Sequence, residues 1–179
     1  MAGEGPIDAP LMIVGEQPGD REDLAGRPFV GPAGQLFDSV AVEVGLDRRA
    51  VFITNAVKHF KFTPRGKRRI HQSPNKGEIA SCRPWLMQEI AQVSPALIIA
   101  MGATAVHSLT GDGMRLMQRR GTVEQSPDGV PVLITLHPSA VLRAPDDASL
   151  RDLFAKDLAR AVTMRDQIAA LEARTSAIQ

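Results

Sequence analysis

Leu11-Met12-Ile13-Val14-Gly15 is a short apolar run that passes directly into the polar turn Glu16-Gln17-Pro18-Gly19-Asp20. An apolar run of this length, without alternating polar residues, is typical of a strand buried on both faces of a parallel sheet. In open α/β sheets, ligands bind beyond the carboxyl ends of the strands. The two segments therefore predict both the class of fold and the sheet edge at which a functional site lies.

The remainder of the chain alternates similar apolar runs with helical patterns. The further predicted strands are Val51–Val57, Ala96–Gly102 and Val130–Leu136. The predicted helices run from Leu36 to about Gly45, over Glu78–Val93, over Ala103–Leu109, and from Ser149 onward. This alternation predicts an α/β fold, a three-layer α/β/α sandwich with a central four-stranded parallel sheet. We expect one domain over residues 1–179, with fraying beyond about Arg174.

Composition excludes several classes of protein. Of the 179 residues, 44% are hydrophobic and 23% are charged, which is ordinary for a globular protein. The sequence has no apolar run of transmembrane length and no secretory signal pattern, so we expect no membrane partner. A single cysteine, Cys82, excludes an internal disulfide. We expect a monomer located in the cytoplasm.

The net charge is only +1, so any affinity for polyanions must come from local clustering of cations. Seven of the 21 Lys and Arg residues lie between Lys58 and Lys76, and that segment contains no Asp or Glu. Within it, the sequence Gly66-Lys67-Arg68-Arg69-Ile70-His71 places three cations and a histidine in a predicted loop. This loop either captures phosphates beside a reactive side chain or is a solvated basic loop.

Polar side chains follow three of the predicted strands. Glu16 follows the first strand, Asn55 lies near the end of the second, and His137 follows the fourth. Because parallel strands bring their carboxyl ends to one edge, these groups are expected to gather in one cleft. Asn55 could read a base edge, His137 could donate to a developing anion, and Glu16 could orient an imidazole. Taken singly, each could instead tie down a loop, cap a segment or form a turn.

Phe29 lies in a segment rich in Gly and Pro, residues 26–34, which predicts a shaped loop. A rigid aromatic ring in such a loop could stack on an extruded base, or it could simply pack in the core.

Several motifs together resemble the family 4 uracil-DNA glycosylases. They are Gly15–Gly19, Pro28–Gly34, Thr54–Lys58, Ala80–Leu86 and His137–Ser139. The insertion Lys67–His71, preceded by Lys58–Phe62, resembles the UdgX type in particular. The resemblance extends in unbroken order from about Gly3 to Arg143.

The resemblance implies that uracil is flipped out of DNA, which we expect to be single-stranded, and into the cleft. By position, substrate binding falls to Gly15, Gln17, Asp20, Phe29 and Asn55, and DNA binding to Lys67, Arg68, Arg69, Ser139 and Arg143. His137 is expected to stabilise negative charge on the departing uracil. His71 is expected to attack C1′ of the sugar and form a stable covalent adduct, with Glu16 orienting it and receiving its proton.

The resemblance also implies a [4Fe–4S] cluster, for which the chain is incomplete. Cys82 and the position of His59 match two ligands, but the Cys-x-x-Cys pair that precedes the first strand in the family is absent from this chain. Two residues cannot hold such a cluster. Two readings stay open, a sequence shortened at its start or a lineage without the cluster, and Cys82 could equally be a buried structural thiol.

Two other functions compete with covalent trapping. One is an ordinary uracil-DNA glycosylase that turns over with water as the nucleophile. The other is a DNA-binding module without catalysis, which uses the basic loop for phosphates. A nucleotide-binding protein is disfavoured, because no Gly-x-Gly-x-x-Gly or Walker-type loop follows the first strand.

Overall fold

The computed structural model describes residues 1–176, and a β-sheet of five strands lies at its centre. In chain order the strands are β1 (Leu11–Gly15), β2 (Val51–Asn55), β3 (Phe62–Arg65), β4 (Arg68–His71), β5 (Leu97–Met101), β6 (Val123–Gln125) and β7 (Pro131–Thr135). The helices are α1 (Asp20–Ala25), α2 (Pro32–Glu43), α3 (Lys76–Val93), α4 (Ala103–Thr110), α5 (Leu116–Arg119), α6 (Pro138–Arg143) and α7 (Ala148–Ser176).

The central sheet has the order β2-β1-β5-β7-β6. The first four strands are parallel, which confirms the predicted parallel sheet, and three of them are buried at every residue. The four-stranded prediction is incomplete, because β6 adds a fifth strand that pairs antiparallel to β7. With three residues, Val123–Gln125, and only one of them apolar, β6 carries too little pattern to be recognised in the sequence.

Helices cover both faces of the sheet, as the three-layer prediction requires. Alternate residues of β1 belong to different cores, because successive side chains in a strand point to opposite faces. Leu11 and Ile13 pack with residues of α2 and α7, namely Phe37, Val40, Phe154 and Leu158. Met12 and Val14 pack with residues of α3 and α4, namely Leu86, Ile90, Val106 and Leu109. Both faces of the sheet are therefore shielded from water. The polar side chains that can reach a ligand lie at the edge where the strands end.

The basic segment was predicted to be a loop, and this prediction is wrong. The segment forms an antiparallel hairpin of β3 and β4. Phe62 pairs with His71 and Arg65 pairs with Arg68, so only Gly66 and Lys67 connect the strands. Gly66 has φ of +60°, a conformation that suits the tight two-residue turns of hairpins. His71 therefore lies at the base of the hairpin, and Lys67 lies at its tip.

Three short helices, α1, α5 and α6, were not predicted. Asp20, at the start of α1, was assigned to a polar turn, and Pro138 and Ser139 of α6 to the segment that follows the fourth strand. These helices contain four to six residues each, too few to show a helical period. The terminal helix α7 extends to Ser176, and of the residues beyond about Arg174 that are predicted to fray, 177–179 lie outside the described residues. Within residues 1–176, no helix is long and apolar enough to cross a membrane.

Candidate active site

A cavity of about 850 Å³ opens where β1, β2, β5 and β7 end. The sheet order places the turns after these four strands side by side along one edge. Nine of the predicted site residues line this cavity: Glu16, Gln17, Asp20, Phe29, Asn55, His71, His137, Ser139 and Arg143. Lys67, Arg68 and Arg69 do not line it, because the hairpin carries them away from its floor.

Glu16 and His71 form a pair at the mouth of the cavity. The distance from His71 Nε2 to Glu16 Oε1 is 3.2 Å. The other oxygen, Oε2, accepts a hydrogen bond of 3.1 Å from the Thr104 hydroxyl at the start of α4. The carboxylate is therefore fixed from a neighbouring element and can hold the imidazole ring in one orientation.

The pKa of Glu16 lies below its ordinary value of 4.5. Burial, the largest single effect, raises the pKa, but it is outweighed by the hydrogen bond from His71, the electrostatic interactions with the His137 and His71 rings, and the hydrogen bond from Thr104. Glu16 is therefore ionised at neutral pH and is available to accept a proton.

His137 is held by two groups of the helix that it precedes. Its Nδ1 accepts the Ser139 backbone N–H at 3.2 Å and lies 2.8 Å from the Ser139 hydroxyl. The hydroxyl in turn accepts a hydrogen bond of 3.0 Å from Arg143. Because Nδ1 accepts a backbone N–H, the neutral ring carries its proton on Nε2. Nε2 is thus a hydrogen-bond donor.

Burial lowers the pKa of His137 from 6.5 to about 4, with Arg143 and His71 adding to the effect and the charge of Glu16 opposing it. The ring is therefore neutral at physiological pH. A neutral donor of this kind can stabilise an anion that develops in a transition state.

Asn55 provides a hydrogen-bonding group on the floor of the cavity. The residue is 3% exposed, and within residues 1–176 its side-chain amide has no hydrogen-bond partner. Because Asn55 lines the cavity, this amide offers a donor and an acceptor to a ligand bound there. A Cβ added at Gly15 would lie 2.4 Å from Asn55 Oδ1 and 2.8 Å from the Phe29 ring. Gly15 therefore allows both side chains to approach β1.

Phe29 lies 5% exposed between Phe37 and His137, with ring-centroid distances of 5.8 Å and 6.1 Å. Its φ of +55° lies in the left-handed region, which is uncommon for a residue with a side chain. Arg48 maintains this conformation by donating to the Phe29 carbonyl oxygen at 3.2 Å and to the Pro28 carbonyl oxygen at 3.0 Å. The strained loop holds a flat apolar ring against the cavity.

Glu22, on α1, was not among the predicted site residues. It is 8% exposed, and its carboxylate accepts the Gly31 N–H at 2.7 Å. This bond ties α1 to the loop that carries Phe29. In the sequence, Glu22 lies within Asp20-Arg21-Glu22-Asp23, which resembles a solvated charged turn and gives no signal of burial.

Gln17 ties both ends of the hairpin to the turn after β1. Its Nε2 donates to the Gln72 carbonyl oxygen at 3.0 Å and to the Lys61 carbonyl oxygen at 3.3 Å, and its Oε1 accepts the Lys61 N–H at 3.3 Å. Lys61 and Gln72 flank the hairpin in the chain. Gln17 was predicted to bind substrate, and this structural function of its side chain was missed.

Arg69 binds the hairpin to α1. Its guanidinium donates to Asp20 at 2.5 Å and to Asp23 at 2.6 Å, and it lies over the Phe60 and Phe62 rings at 5.2 Å and 5.1 Å. Asp20, which was predicted to bind substrate, therefore has a partner within the protein. These contacts, together with those of Gln17, position the base of the hairpin and with it His71.

Three of the seven clustered cations are neutralised from outside the segment. Lys58 is buried and contacts Glu89 at 2.6 Å, Lys61 contacts Glu78 at 2.8 Å, and Arg69 is paired as described. Within the described part of the chain, no carboxylate pairs with the other four: Arg65, Lys67, Arg68 and Lys76. Of the predicted DNA-binding cations in this segment, Lys67 and Arg68 are thus free to contact phosphates, whereas Arg143, outside it, donates to the Ser139 hydroxyl.

The residues present do not fit a [4Fe–4S] cluster. Cys82 is buried, and its Sγ accepts the Lys58 N–H at 3.4 Å, while His59 is exposed. Among residues 1–176, no three His, Cys, Asp or Glu side chains lie close enough together to hold a metal. A cluster of this type requires four ligands.

The fold and the cavity define an α/β protein in which one cavity at the carboxyl ends of the strands contains a Glu–His pair, a buried aromatic ring and an amide without a partner among residues 1–176. Comparison with known proteins defines the class further. The sequence model of the uracil DNA glycosylase superfamily matches residues 2–160.

Three relatives indicate the branch. The chain is 42% identical over 168 residues to the type-4 uracil-DNA glycosylase of Pyrobaculum aerophilum, covering 88% of this chain and 79% of that protein. It is 36% identical over 162 residues to the type-4 enzyme of Thermotoga maritima, covering 90% and 80%. It is 30% identical over 153 residues to the type-5 enzyme of P. aerophilum, covering 75% and 63%. The chain therefore belongs to the uracil-DNA glycosylase superfamily, which confirms the family 4-related resemblance, while the UdgX type stays a prediction.

Proposed function

We propose that this protein excises uracil from DNA and is then retained on it through a covalent bond between His71 and C1′ of the sugar. The observation that carries the proposal is the Glu16–His71 pair, 3.2 Å apart, at the mouth of the cavity that also contains Asn55, Phe29 and His137.

Uracil binding is supported by the shape and polarity of the cavity floor. The Phe29 ring offers a flat surface on which a base can stack, and the amide of Asn55 offers a donor and an acceptor for the edge of the base. Both groups are buried, so a base bound there is removed from water.

Departure of uracil requires stabilisation of negative charge. When the C1′–N1 bond breaks, its electron pair leaves with uracil and the sugar becomes cationic at C1′. The Nε2 proton of His137 can donate to the carbonyl oxygen that receives this charge. The hydrogen bonds from Ser139 keep that proton on Nε2.

Capture of the cation distinguishes trapping from turnover. The lone pair of the unprotonated nitrogen of His71 forms a bond to C1′, and the ring proton passes to the ionised carboxylate of Glu16. Because Gln17 and Arg69 hold the hairpin in place, the imidazole competes with water at a high effective concentration. The products are free uracil and a protein–DNA adduct.

The decisive experiment incubates the protein with single-stranded DNA containing uracil and analyses the mixture on a denaturing gel, with uracil measured in parallel. We expect one uracil per protein and a shifted band that survives heating. The absence of a heat-stable band contradicts trapping. Repeated uracil release without a band supports the turning-over glycosylase, and salt-sensitive binding without any uracil release supports the non-catalytic module.

His71→Ser separates the two chemical steps. We expect this variant to lose the adduct and to release uracil with turnover, because water can then reach C1′. His59→Ser is the matched control, since His59 is an exposed histidine outside the cavity. An adduct of wild-type yield in His71→Ser assigns the covalent bond to another residue.

A preference for single-stranded DNA forms part of the proposal. A base without a pairing partner costs less to extrude into the cavity than a paired one. Initial rates on matched single-stranded and double-stranded oligonucleotides test this preference directly.

A further inference from the structure

We propose that the segment Met114–Met117 is a second DNA-binding rim, which contacts the uracil-containing strand on the side of the cavity opposite the hairpin. The inference rests on the proposed function and extends it from the flipped nucleotide to its neighbours. It assigns a binding surface to residues outside the family motifs on which the resemblance was based.

The sheet order places this rim across the cavity from the hairpin. The hairpin follows β2, at one end of the sheet, whereas β6 lies at the other end beside β7. Because β6 is antiparallel to β7, it begins at the edge where the parallel strands end, and α5 directly precedes it. Leu116 of α5 lines the cavity. Three strand spacings of about 4.8 Å separate β2 from β7.

The rim presents apolar side chains and a cation to solvent. Met114 is 70% exposed and Met117 is 53% exposed, on either side of Leu116. Arg115 is exposed, and within residues 1–176 it has no carboxylate partner. Exposed apolar side chains beside a cavity indicate a binding surface, and thioethers pack favourably against flat aromatic groups.

The rim is fixed rather than loose. Arg119 donates to the Met114 carbonyl oxygen at 3.1 Å and to the Asp112 carbonyl oxygen at 2.6 Å, and it is itself held by Glu124. The Met114 N–H donates to the Asp112 carboxylate at 2.8 Å. Arg115 has φ of +54°, a left-handed conformation that these contacts over-determine. A surface preorganised in this way loses little entropy when it binds.

The chemistry of the rim fits one occupant, an extended single strand of DNA. Arg115 can neutralise a phosphate, and the methionines can contact the faces of unpaired bases, a combination that single-strand-binding surfaces share. The surface is continuous with the cavity through Leu116. The strand that delivers uracil to the cavity therefore passes over the rim on one side and the hairpin on the other.

The test measures binding of a single-stranded oligonucleotide that carries a tetrahydrofuran abasic analogue, by fluorescence anisotropy over a range of salt concentrations. We expect Arg115→Glu to weaken binding about five- to tenfold and to lower the slope of log affinity against log salt by about one. Met114→Ser is expected to weaken binding with no change of slope. Arg49→Glu is the matched control, because Arg49 is 90% exposed and precedes β2 at the opposite edge of the sheet.

Shortened oligonucleotides identify the side of contact. Removing the nucleotides on one side of the analogue is expected to abolish the difference between wild type and Arg115→Glu. The inference is overturned if Arg115→Glu binds within twofold of wild type, or if the difference persists whichever side is removed. Binding to the analogue does not require excision, so a failure of uracil release contradicts the proposed function without affecting this comparison.

Discussion

Burial within the protein sets the pKa of His137 well below that of a histidine in water. We predict that a histidine NMR titration of the folded protein will give a midpoint near pH 4 for this ring, because burial lowers its pKa to that value. His137→Gln assigns the signal among the four histidines. A midpoint above pH 6 would show that the ring is solvated and that the donor on Nε2 is not fixed.

The lowered pKa of His137 also makes the free energy of unfolding depend on pH. An unfolded histidine takes up a proton as the pH falls below about 6.5, whereas folded His137 does so only near pH 4. The unfolded state therefore binds more protons in this window, and His137 makes the fold less stable as the pH falls through it. Chemical denaturation of wild type and His137→Gln at pH 7 and pH 5 is expected to show a smaller loss for the variant.

The hydroxyl of Ser139 connects Arg143 to His137. We predict that Ser139→Ala lowers the single-turnover rate of uracil excision by up to about tenfold, the range expected for one hydrogen bond. The yield of adduct per uracil released is expected to stay unchanged, because the backbone N–H still holds the ring and His71 is untouched. Ser81→Ala is the control, since the Ser81 hydroxyl donates to the Gly77 carbonyl oxygen on α3 and Ser81 does not line the cavity.

The position of a single residue in space could be predicted where that residue stands at the end of a strand. Glu16, Asn55 and His137 each follow a buried apolar run, so a parallel sheet necessarily gathers them at one edge. Contacts that depend on the path of a loop leave no such pattern. The left-handed backbone of Phe29 and the burial of Glu22 are set by Arg48 and Gly31, and their partnerships cannot be deduced from spacing.

In the proposed reaction, the placement of the hairpin decides whether His71 or water reaches C1′. We predict that Arg69→Ala will reduce the rate of adduct formation by about tenfold or more, because small displacements of a reacting group are costly. Uracil excision is expected to stay within about threefold of wild type, since the cavity floor does not include Arg69. The measurement is a parallel time course of uracil release and of covalent band intensity.

Arg68→Ala is the matched control for the hairpin, because Arg68 is exposed and has no carboxylate partner among the described residues. It is expected to weaken DNA binding without changing the ratio of adduct to free uracil. Equal ratios in the two variants would contradict the positioning role of Arg69.

The sequence of the hairpin shows its charge but not its conformation. The run Lys67-Arg68-Arg69 offers no alternation from which β4 could be recognised. The partners of Arg69, Asp20 and Asp23, belong to α1, which is too short to be recognised by its period. An inventory of charges therefore overestimates the number of cations that are free to meet DNA.

At the scale of the whole molecule, one buried carboxylate of α7 joins this helix to β7 and to the residue that follows α5. Asp157 is 2% exposed and accepts hydrogen bonds from Thr135 at 2.8 Å and from Arg120 at 2.6 Å. We predict that Asp157→Ala lowers the free energy of unfolding by about 3–5 kcal/mol, because it leaves the arginine without its partner. Urea denaturation measures the change, and Asp152→Ala on the exposed face of α7 is expected to change it by less than about 0.5 kcal/mol.

The class of fold could be predicted because a sheet buried on both faces requires continuous apolar strands, and Leu11–Val14 and its three counterparts meet that requirement. The antiparallel strand β6 could not, because Val123–Gln125 lies half-buried at the edge and needs no apolar run.

The two ends of the hairpin segment lie side by side, since the Gln72 N–H donates to the Lys61 carbonyl oxygen at 2.9 Å. A segment whose two ends meet can be inserted into a gene, or deleted from it, without displacing the strands and helices on either side. In the proposed mechanism, deleting the segment between Lys61 and Gln72 would remove His71, and with it retention on the product, while the central sheet stays in place.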